Sequence, residues 1–161
     1  LTNKNIKNKN LKTIEFKNEE YLDNLLIEYD RFDLILCWET IHWLGDYKRV
    51  KKLLFQFKKI LKKNGLITVT FPAEDHYLIK NLKPISKSKK FTYLLKNNER
   101  KGMYICAPNL EMLKKLFKKN KLKILAIYKY AHGRKFLDKK NNLTFDYKNL
   151  FSMYAFVLKN E

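Results

Sequence analysis

The segment Phe32-Asp-Leu-Ile-Leu-Cys-Trp38 constrains the fold more than any other feature, because it is apolar on both faces after its second residue. A short continuous apolar run is typical of a central parallel strand covered by helices on both sides. Parallel strands need a crossover connection, usually a helix. Apolar residues recur at helical spacing from Val50 to Leu61, with lysines on the opposite face. Asn64-Gly65 predicts a left-handed stop, and Leu66–Phe71 predicts a second buried strand that Pro72 ends.

The other segments extend this pattern into one domain over residues 1–161. A short strand at Ile14–Phe16 and a short helix at Tyr21–Tyr29 are expected before the buried strand. Residues 73–108 are irregular in pattern, and we interpret them as a partly helical lid or insertion. Four further elements are expected: a helix over Leu110–Asn120, a strand over Leu122–Tyr130, a polar return over His132–Asn149 and a final strand over Phe151–Leu158. The pattern predicts an α/β fold with an antiparallel pair of strands at its C-terminal end.

The charge of the chain bears on its partners. A formal net charge of +19 over 161 residues suits an anionic partner such as nucleic acid. Only four of the 35 basic residues are arginine, and abundant asparagine accompanies the lysine, which is typical of a genome-wide AT bias. Proteins that read phosphates and bases favour the bidentate arginine fork. The composition therefore disfavours a nucleic-acid partner.

Cysteine use and hydropathy bear on the compartment. Cys37 and Cys106 have no CxxC spacing, and Cys37 lies inside an apolar run, which predicts reduced buried thiols and a cytoplasmic protein. No apolar run approaches the roughly 20 residues that a membrane-spanning helix needs. No group of His, Cys, Asp and Glu has metal-ligand spacing, so no metal is expected. The oligomeric state is not predicted.

The stretch from Phe32 to Pro72 resembles the middle of class I S-adenosylmethionine-dependent methyltransferases. It contains a Phe-Asp-apolar strand, Ile41-His-Trp43 where the family has Leu-His-aromatic, and a helix ending in Leu61-Lys-Lys-Asn-Gly65 where the family has Leu-Lys-Pro-Gly-Gly. An apolar strand ending at Pro72 follows, as in the family. The resemblance implies a Rossmann-like sheet, mostly parallel with an antiparallel C-terminal strand. It also implies S-adenosylmethionine as cofactor and methyl transfer as activity.

Two features of that family have no counterpart in this sequence. The family has a glycine-rich loop after its first strand and an acidic residue that holds the ribose after its second. The glycines of this chain, Gly45, Gly65, Gly102 and Gly133, form no GxGxG pattern. We therefore expect a sheet that is incomplete at the N-terminus, in a fragment or a degenerate protein. The activity would then belong to the intact parent protein, and this chain alone would be inactive.

The resemblance also implies residues that bind the cofactor. Asn18 and Glu19 fall at the adenine-contacting turn, although a solvated acidic loop explains them equally well. Cys37 and Trp38 close the central strand, where the family contacts the methionine part of the cofactor. Core packing is the alternative for Cys37. Glu39 follows as a residue that approaches the cofactor or the substrate, or as a helix-start carboxylate.

His42 is the candidate catalytic residue, because a histidine near a strand end can remove a proton from an acceptor hydroxyl, amine or carboxyl group. Structural capping is the alternative role. Aromatic residues of the insertion are expected to line a substrate pocket that excludes water and faces the positive sulfonium. These pocket residues are His76, Tyr77, Tyr93 and Tyr104.

Three functions stay open at this point. The first is methyl transfer to oxygen, nitrogen or carbon of a small-molecule acceptor, a reaction in which the protein mainly aligns the reactants. The second is an RNA-modifying methyltransferase, which the charge favours but which lacks an Asn-Pro-Pro-Tyr-type motif. The third is a non-catalytic module that kept the fold without the cofactor loop. A nicotinamide enzyme ranks lower, because its fingerprint glycines are absent too.

Overall fold

The computed structural model describes residues 32–96, 101–137 and 143–161. Asn18, Glu19, and the strand and helix expected before residue 31 lie outside the described residues. The elements in chain order are β1 (Phe32–Cys37), a 3-10 turn (Ile41–Leu44), α1 (Tyr47–Ile60), β2 (Leu61–Pro72), β3 (Thr92–Leu94), β4 (Tyr104–Cys106), α2 (Leu110–Lys119), β5 (Leu122–Leu137) and β6 (Leu143–Asn160).

The main sheet has the strand order β1-β2-β6-β5. β1 and β2 are parallel, with Cys37 opposite Val69. β6 runs antiparallel to both β2 and β5. This mixed sheet confirms the α/β class and the antiparallel C-terminal pair. Because β1 and β2 are parallel, their carboxyl ends meet at one edge of the sheet, where open α/β sheets bind ligands.

Helix α1 begins at Asp46, whose carboxylate accepts a hydrogen bond of 2.6 Å from the main-chain N–H of Lys48. It ends at Ile60 because Leu61 turns to an extended conformation. Asn64 adopts the predicted left-handed conformation, with φ of 66°, but it lies inside β2 and not at the helix end, so β2 begins five residues earlier than expected. Gly65 is required there by space, since a Cβ atom would lie 2.8 Å from the Leu61 side chain.

Both helices pack on the same face of the sheet. Helix α2 starts at Asn109, whose side chain accepts from the main-chain N–H of Met112 at 3.0 Å. The centre of this core is a group of three buried rings, Phe71, Phe117 and Phe156, with the Phe117 and Phe156 centroids 4.9 Å apart. On the opposite face, Leu34 and Leu36 of β1 are 56% and 68% exposed.

The insertion at residues 73–108 differs from the partly helical prediction. Its described part contains turns and the β3–β4 hairpin, and no α-helix. Ile79, Leu95, Ile105 and Ala107 form a small separate core against the 3-10 turn residue Trp43. The apolar residues serve this small core, so their spacing follows turns instead of a helical repeat.

Strands β5 and β6 are longer than predicted. The segment after His132 was expected to be a polar return, but main-chain pairing continues from His132 opposite Phe151 to Leu137 opposite Leu143, with an irregularity between His132 and Arg134. Among the described strands, residues 134–137 of β5 and 143–146 of β6 pair only with each other. The alternation of Leu143, Phe145 and Tyr147 with polar residues was the sequence signal for this part of β6, and the interpretation as a polar return overlooked it.

The two thiols test the packing of the fold. Burial raises the pKa of Cys37 to about 11, although a hydrogen bond to the Ile41 main chain partly opposes it, and burial raises that of Cys106 to about 12. Only the thiolate reacts, so we expect neither thiol to react with Ellman's reagent at pH 8 until denaturant is added. Fast labelling of either thiol in the native protein would contradict this packing.

Candidate functional site

A polar cluster lies at the carboxyl edge of β1 and β2, centred on Glu39. Its main-chain N–H donates a hydrogen bond of 2.6 Å to the hydroxyl of Thr70. Its Oε1 accepts from the Tyr130 hydroxyl at 2.9 Å and lies 3.2 Å from Nε2 of His132. Glu39 also has a positive φ of 50°. A non-glycine residue in this conformation is strained, and such strain is concentrated at functional sites.

The cluster is partly exposed to solvent. The side chains of His132 and Glu39 are 46% and 39% exposed, so a ligand can reach them. Burial, and then the hydrogen bond to the Glu39 carboxylate and its negative charge, raise the pKa of Tyr130, which stays a hydroxyl donor at neutral pH. Both contacts use Oε1 of Glu39. Among the described residues, no hydrogen bond to Oε2 is formed, so this oxygen is available to a ligand.

A row of aromatic rings runs beside Glu39. Trp38 stacks on Tyr130 with centroids 5.5 Å apart, and His132 stacks on Phe151 at 5.1 Å with an interplanar angle of 4°. Tyr130 and His132 join these two pairs at 6.2 Å. Tyr77 extends the row, at 4.5 Å from Phe151. The outer member, Trp38, is 45% exposed and offers an aromatic surface next to a carboxylate.

The structure separates the two residues predicted to contact the methionine part of the cofactor. Trp38 lies at the open edge, whereas the Cys37 side chain is buried in the main core. Packing therefore accounts for Cys37, and its role at the cofactor stays a prediction that burial does not favour.

His42, the predicted catalytic residue, lies in the 3-10 turn and is only 3% exposed. Its ring lies against that of Trp43, with centroids 4.8 Å apart. Its carbonyl accepts from the N–H of Gly45, which closes the turn. This placement agrees with the structural alternative, and a catalytic role for His42 stays a prediction without support from its exposure.

The four predicted pocket residues fall into two groups. His76 and Tyr77 stack on each other and contact Phe151, so they extend the aromatic row toward His132. Tyr93 and Tyr104 lie on the β3–β4 hairpin instead. Tyr93 lines a different cleft, of about 500 Å³, between the insertion and the start of α2. Of the four residues, Tyr93 alone is among those that line this cleft.

Glu74 anchors that cleft to the sheet. Its carboxylate accepts from the Tyr154 hydroxyl at 2.8 Å and from the main-chain N–H of Leu110 at 3.2 Å. Burial would raise the pKa of Glu74, but hydrogen bonds from its own main chain, from Tyr154 and from Leu110 outweigh it and hold the pKa below the ordinary 4.5. Glu74 thus joins the insertion, α2 and β6.

The Glu74 pKa predicts a pH dependence of stability. A carboxyl group with a lowered pKa in the folded state stabilises the fold above its unfolded pKa, and this contribution disappears as pH falls through the folded pKa. We expect Glu74→Gln to lower the unfolding free energy at pH 7 and to lose less stability than the parent protein below about pH 4.5. Urea unfolding between pH 3 and 7 measures this. Glu111→Gln, at an exposed carboxylate, should keep the parent profile; identical profiles for both variants would contradict the role of Glu74.

Sequence reasoning missed three members of the Glu39 cluster. Thr70 was assigned only to a strand, and Tyr130 and His132 only to a strand end and a polar return. Tyr130 and His132 are two residues apart in β5, so they share one face of the strand. Their meeting with Glu39 depends on sheet order, since 91 residues separate Glu39 from Tyr130. The spacing of the tyrosine and histidine was the available signal.

Several solved structures share this fold. An S-adenosylmethionine-dependent methyltransferase from Methanosarcina mazei is 10% identical with a TM-score of 0.56, covering 83% of this chain and 61% of its own. A Pyrococcus horikoshii protein is 14% identical with a TM-score of 0.56, covering 83% and 54%. An S-adenosylmethionine-dependent methyltransferase from Clostridium acetobutylicum is 15% identical with a TM-score of 0.50, covering 80% and 58%. This chain thus spans about six tenths of the length of such neighbours.

The two sequence comparisons gave different results. None of the curated proteins matches this chain. Within the described ranges, no helix is long and apolar enough to cross a membrane. S-adenosylmethionine is the cofactor that the family and its solved neighbours indicate. A family model for a methyltransferase domain matches residues 2–127, and the chain therefore belongs to the methyltransferase-domain family.

Proposed function

We propose that this chain forms part of an S-adenosylmethionine-dependent methyltransferase that acts on a small molecule, with the activity belonging to the whole protein. The observation that carries this proposal is the Glu39 cluster. It lies at the carboxyl edge of the sheet and combines an exposed aromatic ring with a partly exposed carboxylate. Because the chain belongs to the methyltransferase-domain family, we assign binding of the methyl donor to this cluster.

The side chains at the carboxyl edge of the sheet suit the positive charge of the cofactor. S-adenosylmethionine, when bound, supplies a methyl group on a positively charged sulfur. An aromatic face and a carboxylate both attract a cation, and Trp38 and Glu39 present these two groups side by side. Asn18 and Glu19 stay predictions for the adenine end.

The remaining cluster residues position Glu39 and take up a proton. Thr70 fixes the Glu39 main chain and Tyr130 fixes its carboxylate. A proton released by the acceptor can pass to the imidazole of His132, which is half-exposed and lies 3.2 Å from the Glu39 carboxylate. The protein's main contribution is to align the acceptor with the methyl group.

The charge of the edge favours a small acceptor over RNA. Glu39, Asp46, Glu74 and Asp75 all follow strands or turns on this side of the sheet. RNA binding requires positive charge along the phosphates, and these four carboxylates oppose it. The cytoplasmic setting belongs to the same proposal, since both thiols are free and buried.

A comparison of two ligands tests the proposal. S-adenosylmethionine carries the sulfonium charge, whereas S-adenosylhomocysteine does not. We expect Glu39→Gln and Trp38→Ala to weaken S-adenosylmethionine binding about fivefold or more, as loss of a charge or of a cation–π contact implies. Neither variant should change S-adenosylhomocysteine affinity by more than about twofold.

Calorimetry on the folded chain and its variants supplies the measurement. The matched controls are Asp33→Asn, an exposed carboxylate near the other end of β1, and Phe55→Ala, an exposed ring on α1. Both should bind like the parent protein. Controls that weaken S-adenosylmethionine binding as much as the site variants, or site variants that bind it as tightly as the parent protein, would contradict the proposal.

A further inference from the structure

The outer surface of the two helices carries a dense set of lysines. Helices α1 and α2 pack on the same face of the sheet and bury their apolar sides there. The residues on their solvent side, at the start of β2 and in the turn after α2 are mostly lysine: Lys51, Lys52, Lys58, Lys59, Lys62, Lys63, Lys115, Lys118, Lys119 and Lys121. We call this set the basic helix face. Two described carboxylates lie beside this face and both are paired with lysine: Glu111 with Lys114 at 3.0 Å and Asp33 with Lys62 at 2.9 Å.

A groove of about 520 Å³ crosses the basic helix face between the two helices. The apolar residues that line it are Phe55 and the buried Leu116. Among the described residues, no carboxylate lines the groove. Five lysines line it together with Phe55: Lys51, Lys52, Lys58, Lys119 and Lys121. The Phe55 side chain is 49% exposed. The groove thus joins positive charge to an exposed aromatic ring.

Among the described residues, Glu39, Asp46, Glu74 and Asp75 lie toward the carboxyl edge of the sheet, away from the groove. The charged residues that line the groove are all lysines. This concentration of positive charge suits an anionic partner.

We propose that the basic helix face docks on an anionic membrane surface, with Phe55 entering the headgroup region. Clustered lysines next to an exposed aromatic ring are the features by which helices lie on anionic bilayers. The ammonium of Lys59 lies 4.7 Å from the Phe55 ring centroid and covers one face of the ring. A nucleic-acid base would need such a face for stacking, whereas a ring that enters a bilayer does not.

This docking leaves the candidate site accessible. Trp38 and Tyr130 lie on the sheet face opposite α1 and α2, at the carboxyl edge. Membrane association therefore requires no change at the Glu39 cluster. The proposal does not depend on the methyl-transfer proposal.

Vesicle co-sedimentation of the full chain tests the proposal. We expect binding to phosphatidylcholine vesicles that contain about 30% phosphatidylserine, and at least tenfold weaker binding to pure phosphatidylcholine. Raising the salt from about 0.1 M to about 0.5 M should release the protein, because it shortens the screening length. Equal binding to both vesicle types would overturn the proposal.

Two matched pairs of variants locate the surface. Lys52, Lys58, Lys119 and Lys121 changed together to Gln should weaken binding about tenfold or more, given the effect of single lysines near an anionic bilayer. The same change at the exposed insertion lysines Lys80, Lys83, Lys87 and Lys89 removes equal charge. That control should weaken binding by less than about threefold.

Phe55 supplies the second pair. Phe55→Ala should weaken vesicle binding about threefold or more, whereas Met103→Ala, at an exposed apolar residue of the insertion, should not. Equal losses in the two lysine variants would show non-specific attraction and overturn the proposal. Tighter binding to a single-stranded RNA than to the vesicles, lost in the Lys52 set and in Phe55→Ala, would assign the face to nucleic acid instead.

Discussion

Phe117→Ala is expected to lower the unfolding free energy by about 3–5 kcal/mol, the range for removing a buried phenylalanine from a packed core. The Phe117 ring is fully buried and lies 4.9 Å from Phe156 and 6.4 Å from Phe71, centroid to centroid. Its loss leaves a cavity where α2 meets β2 and β6. Chemical denaturation followed by circular dichroism measures the change.

Phe55→Ala is the control for Phe117→Ala, because it removes the same ring from an exposed position on α1. Its cost should stay below about 1 kcal/mol, as for surface substitutions. Equal losses for the two variants would mean that α2 does not pack on the sheet as described.

Gly45→Ala is expected to destabilise the fold by about 2–4 kcal/mol, because two costs add there. Gly45 has a φ of +69°, and an added Cβ would lie 2.7 Å from the Cβ of Tyr104. This contact joins the 3-10 turn to the β3–β4 hairpin, so the hairpin must move away. Thermal unfolding of the variant reports the loss.

Gly102→Ala separates the two costs in Gly45→Ala. Gly102 also has a positive φ, of +86°, but an added Cβ there has nothing within 4 Å. Only the backbone strain remains, about 1 kcal/mol. If Gly45→Ala proved no more damaging than Gly102→Ala, the close packing of the insertion on the turn would be wrong.

The parts of the fold with a continuous core were predictable from sequence. The apolar strand after Phe32 and the amphipathic helix before Leu61 were both identified from local spacing. The expectation that the strand is buried on both faces was wrong, because Leu34 and Leu36 are exposed on the face opposite the helices. The helix end was misplaced, because the stop expected at Asn64-Gly65 lies inside β2 and α1 ends at Ile60. The β5–β6 extension was missed although Leu143, Phe145 and Tyr147 alternate with polar residues, because the turn signal at Asn141-Asn142 was given more weight.

The site was less predictable than the fold. Trp38 was found because it directly follows a strand that the sequence identifies. Tyr130 and His132 reach Glu39 only through the antiparallel order of β2, β6 and β5, and local spacing carries no information on strand order. His42 was chosen for its chemistry, yet the turn closed by Gly45 buries it. A titratable residue near a strand end is therefore a weak guide until its exposure is known.

An NMR titration of S-adenosylmethionine into the isotope-labelled chain tests the central claim most directly, because it locates even weak binding. The account predicts that the largest shifts occur at the main-chain amides of Trp38, Glu39 and Thr40 and at the Trp38 indole, with smaller shifts at Tyr130 and His132. Shifts confined to the cleft beside Glu74, or no shifts in a folded protein at millimolar ligand, would contradict the assignment of the Glu39 cluster.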